Sequence, residues 1–181
     1  MSEELDLLKA VTKRLAETDI PYMITGSMAA NYYAVPRMTR DIDMVIELSA
    51  GDVERVVRLF EGEFYVDRDI VEEAVQHQGI FNMIHRATVI KIDFVVRKDL
   101  AYRREEFSRR KRVSVEGQEM FFVTPEDLIL SKLEWAKSSR SEMQLNDVKN
   151  LLAYVENLDR AYLARWAAVL DVEDLYREVT A

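Results

Sequence analysis

Between residues 41 and 48 the chain alternates: Ile42, Met44 and Ile46 take one set of positions, and Asp41, Asp43, Val45 and Glu47 take the other. A period of two places these sets on opposite faces of a β-strand, whereas a helix would scatter the apolar residues around its axis. The fold must therefore contain a sheet with one face in a core. The other face must accommodate Asp41 and Asp43, whose carboxylates point the same way about 6.5–7 Å apart. Residues 89–96, Val-Ile-Lys-Ile-Asp-Phe-Val-Val, add a second strand with a single carboxylate, Asp93, in an otherwise apolar run.

The remaining periodicity fills in the elements around these strands. A helix is expected over 3–17, with Leu5, Leu7, Leu8, Val11 and Leu15 on one stripe. A short strand over 21–25 ends at Gly26-Ser27, and a small-residue helix over 28–34 is closed by Pro36. Ser49-Ala50-Gly51-Asp52 caps a helix that runs to about Phe60, and residues 68–78 are helical. Residues 79–85 pair with 89–96 through Arg86-Ala87, and strands near 111–115 and 119–123 turn at Glu116-Gly117. Thr124-Pro125-Glu126-Asp127 starts a helix with a hydroxyl cap, a first-turn proline and two acids facing the positive end of the dipole. From there the pattern stays helical, with stripes at Leu145, Val148, Leu151, Leu152, Val155 and then Tyr162, Trp166, Leu170. This predicts an α/β (α+β) fold: a mixed-sheet core over residues 1–123 and a helical region over 124–181, packed as one compact unit.

Composition excludes several classes. The chain has 181 residues, 49% of them apolar, which suits a single domain burying roughly 70% of its unfolded surface. Without cysteine there is no disulfide framework and no thiolate zinc site. No apolar run approaches 18 residues, and Met1-Ser2-Glu3-Glu4 lacks the basic-then-apolar order of a signal peptide, so a cytoplasmic protein off the membrane is expected. A net charge of −8 argues against a domain held on nucleic acid by bulk charge. Yet residues 103–112 hold Arg103, Arg104, Arg109, Arg110, Lys111 and Arg112 against Glu105 and Glu106, a local +4. That run is either a solvated helix or edge-strand face, or a surface for phosphates. His77 and His85 are too isolated for a metal site, and Trp135 and Trp166 fall on apolar helical stripes expected to pack in a core or interface.

Three features point to chemistry. Gly26-Ser27, between a strand and a helix, lets backbone approach a phosphate that the helix dipole favours, though alone it is only a turn. Asp41 and Asp43 repel each other unless a divalent cation such as Mg²⁺ lies between them; the alternative is a solvent-facing acidic strand. Asp93 is costly to bury alone, so it needs either a metal or an ion pair with Lys91 or an arginine. Together, Gly-Ser, thirteen intervening residues, Asp-x-Asp and a later strand aspartate make a specific pattern.

That pattern resembles the nucleotidyltransferase superfamily, which includes DNA polymerase β and the aminoglycoside nucleotidyltransferases. Arg37-Met38-Thr39-Arg40-Asp41-Ile42-Asp43 and Thr124-Pro125-Glu126-Asp127-Leu128-Ile129-Leu130-Ser131-Lys132-Leu133 look like blocks of its AbiEii-like branch, found among toxin–antitoxin and abortive-infection proteins. The resemblance implies a nucleotidyltransferase fold: a short mixed sheet flanked by helices. It also implies Mg²⁺-dependent transfer of an NMP from an NTP to a hydroxyl, with pyrophosphate released. Asp41, Asp43 and Asp93 would be catalytic and hold two Mg²⁺ ions. Gly26, Ser27, Arg37, Arg40 and Lys132 would bind the nucleotide. Lys132 and Asp147 match a lysine and a later aspartate of AbiEii-like toxins, although the spacing around residues 138–143 departs from the pattern. The acceptor is left open: an RNA 3′ end reached through 103–112, a protein, or a small molecule. A cognate antitoxin or a second copy is a possible partner, and a non-catalytic nucleotide-binding or antitoxin-like protein is the alternative function.

Overall fold

The computed structural model describes residues 3–180, and in it the alternating segment forms the middle strand of a seven-stranded sheet. Met1 and Ser2 of the acidic start lie outside the described residues. In chain order the elements are α1 (Glu3–Glu17), β1 (Tyr22–Ile24), α2 (Gly26–Tyr33), β2 (Asp41–Ile46), a 3₁₀ turn (Ala50–Asp52) leading into α3 (Val53–Phe60), β3 (Phe64–Tyr65), α4 (Arg68–His77), β4 (Ile80–His85), β5 (Lys91–Val96), α5 (Ala101–Ser108), β6 (Lys111–Val115), β7 (Gln118–Phe122), α6 (Pro125–Ser139), α7 (Glu142–Tyr154), α8 (Arg160–Val169) and α9 (Glu173–Thr180). The strand order is β3-β4-β5-β2-β1-β7-β6. β2 runs parallel to β5 and β1 parallel to β7, while the other pairs are antiparallel, so the sheet is mixed as expected.

The period of two sorts the sheet into two environments. Ile42, Met44 and Ile46 are fully buried, as are Ile92 and Phe94 beside them. Phe94 stacks on Phe81 at 5.1 Å, and Phe60 from α3 closes over Phe94 and Phe64. The opposite face carries Asp41, Asp43 and Asp93 and looks toward α6.

α6 is buried along most of its length, including Glu126, Asp127, Ser131 and Lys132. Buried charges need partners, and Asp127, with no exposed surface, has three. It accepts from Tyr162 Oη at 2.6 Å, Thr124 Oγ1 at 2.6 Å and Arg109 Nε at 3.1 Å. Thr124 in turn caps the helix by accepting from Asp127 N at 3.2 Å. The Arg109 guanidinium lies 3.9 Å over the Tyr162 ring. One carboxylate thus ties α6, α8 and the end of α5 together, and burial together with its acceptance from Tyr162 holds that phenol protonated.

Some elements differ from expectation. α5 is a helix that the charged run conceals, and β3 has two residues, too few to show a period. The helical third divides into four helices. Its breaks include Arg140, Asn157 and Asp171, which adopt left-handed φ of 48°, 59° and 55° without the glycine that would mark them in sequence. Trp166 packs against Tyr102 and Tyr162, but Trp135 does not join the core: it is 59% exposed. Among the described residues no helix is long and apolar enough to cross a membrane.

Asp127→Ala should strand Arg109 and Tyr162 in the interior and cost about 3–5 kcal/mol of stability in urea denaturation. Glu73→Ala, at an exposed position, should change stability by no more than about 0.5 kcal/mol.

Candidate active site

Gly26 fixes the geometry at the end of β1. Its φ is +60°, and a Cβ there would stand 2.6 Å from Asp43 Cγ, so glycine alone lets the turn rest against that carboxylate. Thr25 N donates to Asp43 O at 3.0 Å, and the backbone N–H of Ser27, in the first turn of α2, donates to the Asp43 side chain. Helix α2 therefore starts at Gly26 rather than at Met28, two residues earlier than the small-residue pattern predicts.

Asp43 and Asp93 are direct register partners on the parallel strands β2 and β5, and Asp41 faces Lys91 in the same ladder. Lys91 Nζ lies 2.7 Å from Asp93 Oδ2, so the ion pair that sequence left as one option is present. Burial, and then the charge of Asp93, push the Asp43 carboxyl above its ordinary range, against the opposing pull of the Ser27 N–H and Lys132. Like charges in register are costly, and a cation is the usual relief. Among the described residues no three His, Asp or Glu side chains form a ready-made metal cage. Mg²⁺ does not ask for one, since it takes one or two carboxylates and completes its shell with water and substrate phosphate. The all-oxygen pair Asp43–Asp93, with Asp41 two residues away on the same face, fits that habit.

A second cluster adjoins the first. Asn31 clamps the backbone of Arg37, accepting from its N–H at 2.9 Å and donating to its carbonyl at 2.7 Å. The Arg37 guanidinium then reaches Asp147 through Nε at 3.1 Å and Nη2 at 3.0 Å, a bidentate pair, and donates to Ser27 Oγ at 2.7 Å. Lys132, 3% exposed, donates to Asp147 Oδ2 at 2.8 Å and to Gln144 Oε1 at 3.0 Å. Burial pushes the Asp147 carboxyl up, but the hydrogen bonds from Arg37 and Lys132 outweigh it and hold it below the usual range.

The structure thus brings Gly26, Ser27, Asp41, Asp43, Asp93, Arg37 and Lys132 to one region. Arg40 is exposed at the entrance to β2 and stands apart from the Asp147 network. Asp147 is the residue that spacing alone undervalued: a polar residue on a helix ordinarily faces water, and only the fold shows it between two cations. The basic run divides between α5 and the edge strand β6. Arg103 pairs with Glu106 and Glu134, Arg104 with Asp99, and Arg109 with Asp127. Arg110 lies over the Phe107 and Phe121 rings, leaving Lys111 and Arg112 as the exposed cations of the run on β6.

Comparison with known proteins identifies the family and the fold. A family model described as "Nucleotidyl transferase of unknown function" (DUF2204) matches residues 4–178. No curated protein matches the chain. Among solved structures, an antigenic nucleotidyltransferase-like protein from Paracoccidioides brasiliensis superposes with a TM-score of 0.59 at 18% identity, over 99% of this chain and 94% of that one. The antibiotic-resistance factor ANT(2″)-Ia gives 0.57 at 15% identity, over 92% and 94%. The lincosamide antibiotic adenylyltransferase LnuA, lincomycin-bound, gives 0.55 at 14% identity, over 86% and 98%. At these identities the likeness is one of fold.

Because the folded-state pKa of Asp43 is raised, its contribution to stability is present below the ordinary carboxylate range and lost as pH climbs through the raised value. Asp43→Asn should therefore melt at a higher temperature than the wild type in metal-free buffer near neutral pH, with the gap closing in acid. A variant that melts at or below the wild-type temperature at neutral pH would contradict this account of the carboxylate pair.

Proposed function

We propose that this chain, which belongs to the nucleotidyl transferase family matched over residues 4–178, moves a nucleoside monophosphate from an NTP to a hydroxyl acceptor and releases pyrophosphate. The observation that carries the reading is the pairing of Asp43 with Asp93 beside a Gly-Ser turn whose serine is held by Arg37. The likeness of the Asp-x-Asp and α6 motifs to the AbiEii-like branch supports it.

The residues divide the work. Gly26 lets the first turn of α2 approach the β- and γ-phosphates, and Ser27 Oγ would add a hydroxyl there. Arg37 and Lys132 supply positive charge to the triphosphate. Both rest on Asp147, which acts as a positioning residue by aiming them. Asp41, Asp43 and Asp93 would hold Mg²⁺, which when bound offsets phosphate charge and lowers the pKa of the attacking hydroxyl. Asp93 would take that proton, once Lys91 leaves Oδ2. The acceptor oxygen attacks the α-phosphorus, a new P–O bond forms, and the bond to the β-phosphate oxygen breaks. Pyrophosphate departs with that electron pair.

Calorimetry with ATP, GTP, CTP and UTP tests this reading: at least one should bind, and removal of Mg²⁺ should weaken it. No metal-dependent binding of any NTP would overturn the proposal and leave a non-catalytic partner protein as the alternative. Lys132→Met should weaken NTP binding about 10- to 100-fold, the loss of one charge-assisted hydrogen bond. Asp43→Ala should retain a cooperative melt while losing transfer.

A further inference from the structure

On the same sheet face as the carboxylates, two residues further along β2 and β5, the surface turns apolar. Val45 and Val95 are register partners, and Ile80 of β4 pairs with Val95. The row Asp43–Asp93 therefore continues directly into the row Val45–Val95–Ile80, about 6.5–7 Å away. These three residues floor a hollow of about 540 Å³ that also reaches Thr25, the residue before the Gly-Ser turn. One wall is a single stripe of α6, Ser131, Glu134, Trp135 and Ser138, at helical spacing. Facing it are the end of α4 and the loop from β5 to α5, including Leu100.

Two properties mark the hollow as a binding site. Ile80, Leu100 and Trp135 are 49%, 59% and 59% exposed, and all three large apolar side chains open onto this one depression. Single exposed apolar residues are ordinary, but several converging on a concavity beside reactive groups mark a ligand site. The wall is also braced: Arg103, itself in the lining, joins α5 to α6 by bonding Glu106, Ser131 and Glu134, and Glu106 is buried with its other oxygen on Ser131. The stripe is thus held in position before anything binds.

We infer that this hollow holds the acceptor, and that the acceptor is a hydroxyl-bearing small molecule with a flat apolar or aromatic body that lies against Trp135. This deepens the transfer reading above and rests on it. Size and chemistry favour this class: the volume suits a drug-sized molecule, and Val45, Val95, Ile80, Leu100 and Trp135 offer its body an apolar floor and wall among the polar groups of the lining. An RNA end would bring several phosphates, and two of the three Lys and Arg residues that line the hollow are already paired, Arg103 with Glu106 and Glu134 and Arg97 with Glu47, which leaves Lys98. With its body in the hollow, the molecule presents its hydroxyl toward Asp93. The proton passes to that carboxylate as the oxygen bonds to the α-phosphorus and pyrophosphate leaves.

The test uses ligand-observed NMR for binding and protein-observed NMR of the indole N–H for its place, on the full chain with hydroxylated mono- and bicyclic aromatic fragments, and with a short RNA oligonucleotide as a second arm. Fragments should bind the wild type, shift the Trp135 indole resonance, and bind Trp135→Ala about tenfold or more weakly. Trp135 is exposed, so the variant should fold. Leu100→Ser, which puts a favoured capping residue at the N-cap of α5 where Leu100 makes no side-chain cap, provides a second lesion with the same expected loss. Failure of every fragment to bind, equal binding to wild type and both variants, or a Trp135 shift produced by the oligonucleotide and not by fragments would each overturn the inference. NTP calorimetry on the wild type runs beside it. Fragment binding in the hollow without NTP binding would overturn the transfer reading, and with it the acceptor role, while leaving the hollow a small-molecule site.

Discussion

Two carboxylates in register on neighbouring parallel strands set the problem that the surrounding structure answers. Side chains directly opposite each other in a sheet have Cβ atoms about 4.5–5.5 Å apart, so Asp43 and Asp93 cannot both be ionised there without help. Lys91 answers for Asp93 from within its own strand. Asp43 has no such neighbour and takes its help from across the turn, where a residue without a Cβ brings the Ser27 N–H against it. Lys132 contributes from α6. Lys132 and Arg37 then need an acid of their own, and Asp147 supplies it. The charges alternate outward from the sheet, and each is buried only as deeply as its neighbour allows.

α6 makes that alternation possible because its two sides do different things. Lys132 points to α7 and the Asp147 cluster, whereas Ser131, Glu134, Trp135 and Ser138 line the hollow. Such a helix cannot be positioned by its apolar stripe alone. It is located by charge at three places: Asp127 near its start, the Arg103–Glu106–Ser131–Glu134 group along its middle, and Lys132 on Asp147. Isolated surface ion pairs contribute little, but these are largely buried and share hydrogen bonds, so each fixes a geometry as well as adding energy. The register between phosphate-facing cations and the apolar hollow is therefore built into one rigid element.

The strands that carry Asp41, Asp43 and Asp93 were legible in sequence because a half-buried strand writes its period directly into residue order. The Thr124 cap was legible because side-chain chemistry at helix starts is local. What was not legible depends on groups distant in the chain. Asp147 gains its role from Arg37, 110 residues away, and from Lys132, three to four turns back across a loop. The α5 helix was hidden because its buried Glu106 and its paired arginines read as a solvated charge run. Trp135 was assigned to packing because a stripe on a helix predicts a contact but not whether protein or ligand supplies it. The breaks at Arg140, Asn157 and Asp171 left no glycine to read.

Net charge was the least informative part of the sequence, and the structure explains why. A value of −8 describes what solvent sees on average, yet the groups that decide function are the ones removed from that average by pairing. Of the six cations between 103 and 112, Arg103 and Arg109 pair with buried acids, Arg104 pairs with Asp99 at the surface, Arg110 lies on aromatic rings, and Lys111 and Arg112 stay exposed on β6. The cations aimed at the active site, Arg37 and Lys132, come from elsewhere and are matched to one acid that a triphosphate can replace. Positive charge is therefore gathered where a nucleotide would sit, while in the hollow Arg97 and Arg103 are paired with acids and Lys98 remains. What the fold also leaves uncovered there is the apolar surface of Ile80, Leu100 and Trp135, and apolar surface selects a ligand by shape and desolvation rather than by phosphate.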